Sequence, residues 1–143
     1  SYKGRPGMNG CLVDSNVLLD VLEDDPLFAE KSQELLDLYS QEHTLYINPV
    51  IYAEISIGFN QIEELEKTLL LADIKLLQIP KEALFLAGKA FLKYRKNKGN
   101  KLSPLPDFFI GAHAAVAGLP LITRDSNRYS HYFPKVKLVE PGT

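Results

Sequence analysis

The stretch GCLVDSNVLLDVL, residues 10–22, decides the fold. Its first four residues form a short apolar run, and this run predicts a buried strand from Gly10 to Val13. The apolar residues that follow recur at helical spacing, and Ser15 or Asn16 suits the start of that helix as a cap. Asp14 stands between the two elements, so we expect it at the carboxyl end of the strand.

The same alternation of strand and helix continues along the chain. Further strands are predicted at Thr44 to Ile47, Lys75 to Ile79, Leu121 to Thr123 and Val136 to Val139. Helices are predicted from Pro26 to about Gln41, from Pro49 to near Gly58, through Ile62 to Leu70, from Pro80 into the basic stretch Lys93 to Lys101, from Asp107 to Ala117, and around Ser126 to His131. Strands separated by helices predict an α/β fold, a three-layer α/β/α arrangement with a central, mostly parallel five-stranded sheet.

Length and composition indicate an ordinary globular protein. The 143 residues are 45% hydrophobic and 24% charged, enough for one core. Residues 1–7 (SYKGRPG) resemble the remnant of an expression tag, which leaves one domain over residues 8–141. The lone Cys11 cannot form an intrachain disulfide, so a reducing cytoplasm is the expected location. Polar residues interrupt the most apolar region, from Thr44 to Phe59, so no membrane span is expected.

The charge balance is slightly acidic. A formal net charge of -2 argues against a protein that holds nucleic acid by bulk positive potential alone. Cations are dense only in the run that contains Lys93, Arg95, Lys96, Lys98 and Lys101. These cations could contact phosphates, or they could be the solvated end of a helix, where the helix dipole favours positive charge.

Four acids are predicted to meet at one edge of the sheet. Asp14 and Asp125 follow apolar strands, and ligands of open parallel sheets bind beyond the carboxyl ends of strands. Glu54 and Asp107 lie near the starts of helices that we expect to begin at the same edge. Carboxylates a few ångströms apart repel one another unless a cation lies between them. The acids therefore predict a cation site.

Each acid also has a simpler interpretation. Asp14 could cap the first helix, and Asp107 could be a helix N-terminal acid favoured by the dipole. Asp125 could belong to an Asx turn. Glu54 interrupts the apolar run from Val50 to Ile57, so it lies either on a solvated edge of that helix or in a functional site.

The residue types favour Mg²⁺ or Mn²⁺ at this site. Hard oxygen ligands prefer these ions, and the single cysteine and three histidines form no zinc pattern. Mg²⁺ keeps several waters and accepts phosphate oxygens as further ligands, which suits phosphodiester hydrolysis.

At these acids the sequence resembles the PIN-domain nucleases, and more narrowly the toxins of VapBC-type toxin–antitoxin pairs. The matching segments are LVDSNVLLD (12–20), PVIYAEI (49–55), PDFFIGAHA (106–114) and GLPLITRD (118–125). The resemblance implies a catalytic site in which Asp14, Glu54, Asp107 and Asp125 bind Mg²⁺ or Mn²⁺ and Thr123 supports them through its hydroxyl. It further implies an RNA substrate, cut by an activated water, and an antitoxin partner that inhibits the enzyme.

Other residues are secondary candidates. Asn16, Arg124 and Arg128 could contact the substrate strand, and a surface salt bridge is the alternative for the two arginines. The apolar residues between positions 49 and 72 could receive an antitoxin or a second subunit, as in a homodimer, although core packing is the alternative for most of them.

Two rival functions are considered. A HAD-like phosphatase would also place an acid after the first strand, but its pattern resembles one with a second Asp two residues on, where this chain has Asn16. A non-catalytic PIN-like module for RNA binding or scaffolding is the other rival. Four mutually repelling acids argue against it, because a scaffold does not need them.

Overall fold

The computed structural model describes residues 9–98 and 105–142, with only the backbone of Lys98. The strands in this part of the chain are β1 (Gly10–Val13), β2 (Thr44–Ile47), β3 (Ile74–Leu76), β4 (Leu121–Ile122) and β5 (Leu138–Val139). The helices are α1 (Ser15–Leu22), α2 (Ala29–Ser40), α3 (Pro49–Ile55), α4 (Ile62–Leu71), α5 (Lys81–Lys98), α6 (Leu105–Ala117) and α7 (Asn127–Ser130). A 3-10 turn, Ser56–Gly58, follows α3 directly.

The five strands form one sheet in the order β3-β2-β1-β4-β5. All four strand pairs are parallel, with Leu12 of β1 opposite Tyr46 of β2 and Leu121 of β4. Helices cover both faces, so the predicted three-layer α/β/α fold with a five-stranded parallel sheet is confirmed. The strand order reverses at β1, where β2 lies on one side and β4 on the other, and such a reversal is where parallel sheets bind ligands.

The central strand lies at the centre of the hydrophobic core. The side chains of Cys11, Leu12 and Val13 are fully buried, because a central parallel strand is covered on both faces. Gly10 starts the strand where a Cβ atom would overlap the ring of Tyr46 on β2. Only glycine allows β2 this close an approach.

The helices after β1 and β2 begin with side-chain caps. Asp14 precedes α1 in an extended conformation and accepts a hydrogen bond from the backbone N–H of Ser15. Asn48 caps α3 by accepting from the N–H of Ile51 at 2.9 Å, and Pro49 occupies the first helical position. Asp14 is therefore a helix cap, as one of the two interpretations expected.

Aromatic side chains connect α5, α6 and the C-terminal segment. The ring of Phe108 packs against Phe91 and Tyr94 of α5, with ring centroids 5.3 and 5.4 Å apart. One turn further along α6, a Cβ atom on Gly111 would overlap the ring of Phe133. These contacts fix the first turn of α6, and with it the position of Asp107.

Several predicted boundaries were wrong. The second helix begins at Ala29 instead of Pro26, because the side chain of Asp25 accepts hydrogen bonds from the N–H groups of Leu27 and Phe28 and forms a turn there. The edge strands are shorter than predicted. The strand β3 ends at Leu76 and β5 begins only at Leu138, since their length is set by the strands beside them.

The route to α6 also differs from the expectation. In the described part of the chain, this helix follows another helix, α5, rather than a strand, and it begins at Leu105. The predicted tag remnant, residues 1–7, and Lys101 of the basic run lie outside the described residues. Within residues 9–98 and 105–142, no helix is both long enough and apolar enough to cross a membrane.

Candidate active site

Asp14 is the hub of a hydrogen-bond network at the carboxyl ends of β1 and β4. Its Oδ2 atom accepts from the hydroxyl of Thr123 at 2.8 Å and from the hydroxyl of Tyr129 at 2.7 Å. Its Oδ1 atom accepts from the backbone N–H of Ser15 at 2.8 Å. Asp14, Thr123 and Tyr129 are all buried, so this carboxylate is held firmly in one orientation.

Thr123 ties the acid of the first strand to the loop after the fourth. Besides donating to Asp14, its Oγ1 atom accepts from the backbone N–H of Asp125 at 3.1 Å and lies 3.4 Å from the amide nitrogen of Asn16. The Oδ1 atom of Asn16 accepts in turn from the backbone N–H of Arg124 at 3.2 Å. The start of α1 and the end of β4 are therefore held together.

Glu54 approaches from α3 and is linked to the first helix. The hydroxyl of Ser15 donates to Oε1 of Glu54 at 2.9 Å, and the Glu54 side chain is half-buried. Burial raises the pKa of Glu54, the hydrogen bond from Ser15 opposes that rise, and the charge of Asp14 adds to it. Glu54 thus lies at the site rather than on a fully solvated helix edge.

Asp107 lies in the first turn of α6 and is 5% exposed. Among the described residues, no group forms a hydrogen bond with its buried Oδ2 atom. Burial raises the pKa of Asp107 to about 6, Arg128 opposes the rise, and the charges of Asp14, Glu54 and Asp125 add to it. The four predicted acids are therefore close enough to influence one another, and we call this set the acidic centre.

Arg128 lies between two of these acids. Its Nε atom is 2.6 Å from Oδ2 of Asp125, and its Nη1 atom is 3.8 Å from Oδ1 of Asp107. Burial lowers the pKa of Arg128, but the neighbouring carboxylates, first Asp107 and then Asp125, more than offset this, so the net shift is upward. The guanidinium partly compensates the negative charge of the centre.

The donor set fits a hard divalent cation. The centre offers carboxylate oxygens, and Oδ2 of Asp107 is a buried acceptor to which no described protein group donates. In the described part of the chain, the side chains form no arrangement of three or more Asp, Glu, His or Cys that could hold a metal ion. Mg²⁺ does not require one, since it commonly takes one or two carboxylates and keeps its waters.

The other predicted contact residues differ in what they touch. Arg124 makes a bidentate ion pair with the buried Asp20, with both nitrogen–oxygen distances at 2.9 Å, and its guanidinium lies 4.3 Å from the ring centre of Phe28. It is thus engaged by α1 and the segment before α2. Lys93, Arg95 and Lys96 are exposed on α5, with Arg95 over the ring of Phe91.

Sequence patterns missed two members of the site. Tyr129 is not among the candidates of the sequence analysis, yet its hydroxyl donates to Asp14. Ser15 was considered only as a helix cap, yet it holds Glu54. A hydroxyl next to an acid is the sequence signal that could have identified Ser15. For Tyr129 the signal is absent, because the contact joins positions 115 residues apart.

Comparisons with known proteins place the chain in a family. A family model described as the PIN domain matches residues 11–134, whereas no curated protein sequence matches the chain.

Solved structures are similar in fold, and three of them are described here. VapBC2 from Rickettsia felis, bound to a promoter DNA fragment, has a TM-score of 0.69 and 17% identity, covering 91% of this chain and 97% of that chain. DNA-bound VapBC from Salmonella typhimurium has a TM-score of 0.66 and 18% identity, covering 92% and 97%. A toxin-antitoxin complex from Klebsiella pneumoniae has a TM-score of 0.60 and 20% identity, covering 85% and 92%. Because the PIN domain family model matches most of this chain, residues 11–134, the chain belongs to the PIN domain family.

Proposed function

We propose that this protein is a metal-dependent endoribonuclease that acts as the toxin of a toxin–antitoxin pair. The observation that carries the proposal is the environment of Asp107. This carboxylate is buried and has an oxygen without a hydrogen-bond partner among the described residues. Burial raises its pKa, and the charges of Asp14, Glu54 and Asp125 raise it further. Such an arrangement is costly in an apo protein and favourable once a cation binds.

The residues divide into those that would hold the ion and those that orient the holders. Asp14, Glu54, Asp107 and Asp125 would hold Mg²⁺ or Mn²⁺. When bound, such an ion lowers the pKa of a water and stabilises charge on a phosphate. Thr123, like Tyr129, donates to Asp14 and fixes its orientation, and Ser15 does the same for Glu54.

The contacts of Asp14 support a nuclease over a HAD-like phosphatase. A phosphatase of that kind needs an aspartate oxygen free to attack phosphorus. Here both oxygens of Asp14 already accept hydrogen bonds, which stabilise the carboxylate and reduce its nucleophilicity. Asn16, two positions after Asp14, accepts a hydrogen bond from the backbone N–H of Arg124 in the loop after β4.

The toxin assignment is supported by the fold neighbours and by an exposed apolar surface. The Klebsiella pneumoniae structure is a toxin-antitoxin complex by its description. Ile57, Ile62, Leu70 and Leu71, between α3 and the end of α4, are each more than 60% exposed. These four side chains lie within residues 57–71, and apolar side chains that form one contiguous exposed patch mark protein interaction sites. We therefore propose an antitoxin as the partner; a homodimer and a cytoplasmic location stay predictions.

Cleavage of RNA by the purified protein tests the proposal. We expect cleavage with Mg²⁺ or Mn²⁺, none in excess EDTA, and none from Asp14→Asn or Asp107→Asn variants that remain folded. Asp37→Asn is the matched control, because Asp37 is exposed on α2 and the same loss of charge there should leave activity intact.

Two outcomes would reject the proposal. Full activity of folded Asp107→Asn, or in EDTA, would remove the role of the acidic centre. RNA binding without cleavage under any metal condition would favour a non-catalytic PIN-like module. Contacts of Asn16, Arg124 and Arg128 with RNA remain predictions. For Arg124 the ion pair with Asp20 competes with such a contact.

A further inference from the structure

Arg128 is the one basic side chain, among the described residues, with ion pairs to the acidic centre. It bridges Asp125, at 2.6 Å, and Asp107, at 3.8 Å. Its side chain is 49% exposed, and it belongs to the short helix α7. The guanidinium can therefore move into solvent without disturbing the core.

We infer that Arg128 is an internal counter-ion, which neutralises Asp107 and Asp125 while no metal is bound and moves off them when a divalent cation enters. In this role it is a positioning residue, since its ion pairs are with carboxylates proposed to hold the metal. The inference rests on the proposed metal site and goes beyond it. It assigns to this chain a residue that sets how tightly the metal binds.

The electrostatic argument begins with the uncompensated charge. Four carboxylates that influence one another need positive charge nearby, and a guanidinium supplies a single unit. That unit reaches Asp107 only at 3.8 Å and leaves the Oδ2 atom of this residue without a partner. A divalent ion supplies twice the charge and approaches carboxylate oxygens to about 2.1 Å. Arg128 and the metal therefore compete for the same carboxylates, and the metal is the stronger competitor.

Arg124, four residues before Arg128, is by contrast held in place by its own contacts. Two hydrogen bonds of 2.9 Å join it to Asp20, which is 3% exposed, and its guanidinium lies over the ring of Phe28. Arg128, by contrast, has no ring contact among the described residues and touches only carboxylates of the acidic centre through ion pairs. The charge of Arg128 opposes the rise in the pKa of Asp107 and of Glu54, whereas the charge of Arg124 is paired with Asp20. Arg124 is thus a matched control.

The first test is the Arg128→Gln variant, compared with Arg124→Gln and the wild type by calorimetry with Mn²⁺ alone and by thermal unfolding in EDTA. For Arg128→Gln we expect a lower melting temperature in EDTA and tighter Mn²⁺ binding, on the order of tenfold, which is about 1.4 kcal/mol. For Arg124→Gln we expect a lower melting temperature with unchanged Mn²⁺ affinity. If Arg128 had a purely structural role, Arg128→Gln would lower both the melting temperature and the Mn²⁺ affinity. Unchanged or weaker Mn²⁺ binding by Arg128→Gln would overturn the inference.

The second test uses the wild type and so does not depend on the folding of a variant. The Nε–H signals of Arg124 and Arg128 are followed by nitrogen-edited NMR during titration with Mg²⁺. We expect the Arg128 signal to move to the position of a solvated guanidinium while the Arg124 signal stays in place. An Arg128 signal that is unchanged at Mg²⁺ saturation would overturn the inference alone. Absence of any Mg²⁺ or Mn²⁺ binding by the wild type would overturn the proposed function as well.

Discussion

Replacing Asp107 with asparagine should make the metal-free protein more stable. The side chain is 5% exposed, and its pKa lies at about 6 in the folded protein against 3.8 for an unperturbed aspartate. At 1.36 kcal/mol per pKa unit, ionisation of this carboxyl costs the folded state about 3 kcal/mol. Asparagine has nearly the same shape but no charge, so Asp107→Asn should recover a stabilisation of this order at neutral pH.

The direction of the pH dependence follows from the same shift. Because the folded pKa of Asp107 is raised, the folded state holds the proton more strongly than the unfolded state. Stability is therefore lost as pH rises from about 4 to about 6, and the loss persists above that range. The gain from Asp107→Asn should be largest above about pH 6 and should vanish near pH 4.

His113 makes the wild-type curve alone uninformative. Its ring is fully buried, and burial lowers its pKa from 6.5 to about 4, so the folded state resists protonation. This group removes stability as pH falls from about 6.5 to about 4, opposite in sign to the effect of Asp107. The diagnostic quantity is therefore the difference between Asp107→Asn and the wild type, in which the contribution of His113 cancels.

The assay is urea unfolding in EDTA at about pH 7.5 and about pH 4, with free energies from linear extrapolation. Asp37→Asn is the control, since Asp37 is exposed and Asn can still accept the hydrogen bond from Gln33. The control should change stability little at either pH. If Asp107→Asn is less stable than the wild type at neutral pH without metal, Asp107 is not an uncompensated buried charge and the reasoning is refuted.

Three further substitutions test other parts of the site. Thr123→Val removes a donor from the buried Asp14, and we expect a loss of about 1–3 kcal/mol in urea unfolding together with weaker Mn²⁺ binding in calorimetry. An unchanged Mn²⁺ affinity would contradict the orienting role of Thr123. His113→Leu lacks the ring that resists protonation. We therefore expect it to lose less unfolding free energy than the wild type between about pH 6.5 and about pH 4.5 in urea unfolding. A loss equal to the wild type's would show that the His113 ring does not resist protonation. Arg124→Gln removes the cation paired with the buried Asp20, which keeps only the hydroxyl of Ser32 as a side-chain donor, and should lower the free energy of unfolding by on the order of 2–3 kcal/mol. A change near zero in the free energy of unfolding would mean that the ion pair between Arg124 and Asp20 does not stabilise the folded protein.

The sequence was most informative about the centre of the sheet. The bounds of β1 and β2 agree with the prediction, because a central parallel strand is an unbroken apolar run ended by polar residues. Edge strands carry no such signal. The strands β3 and β5 are short and only partly buried, and their limits depend on which residues of β2 and β4 are available for pairing.

The acids of the site were easier to predict than their partners. Asp14 and Asp125 could be located because each follows an apolar strand, and this position alone places them at the binding edge. The bridging position of Arg128 could not, since it depends on how α7 packs against α6. Likewise, the preference of Arg124 for Asp20 over solvent is a contact across 104 residues that no local pattern encodes.

The network around Asp14 has a consequence for the synthesis of the protein. Two of the donors to this carboxylate, Thr123 and Tyr129, are made more than a hundred residues after the acid itself. A growing polypeptide emerges from the ribosome with its first segments leading. While β4 is still inside the ribosome, Asp14 lacks both hydroxyl partners and β1 has no neighbour on that side. A chain built in this way can complete the hydrogen bonds of Asp14 only after Tyr129 has emerged from the ribosome.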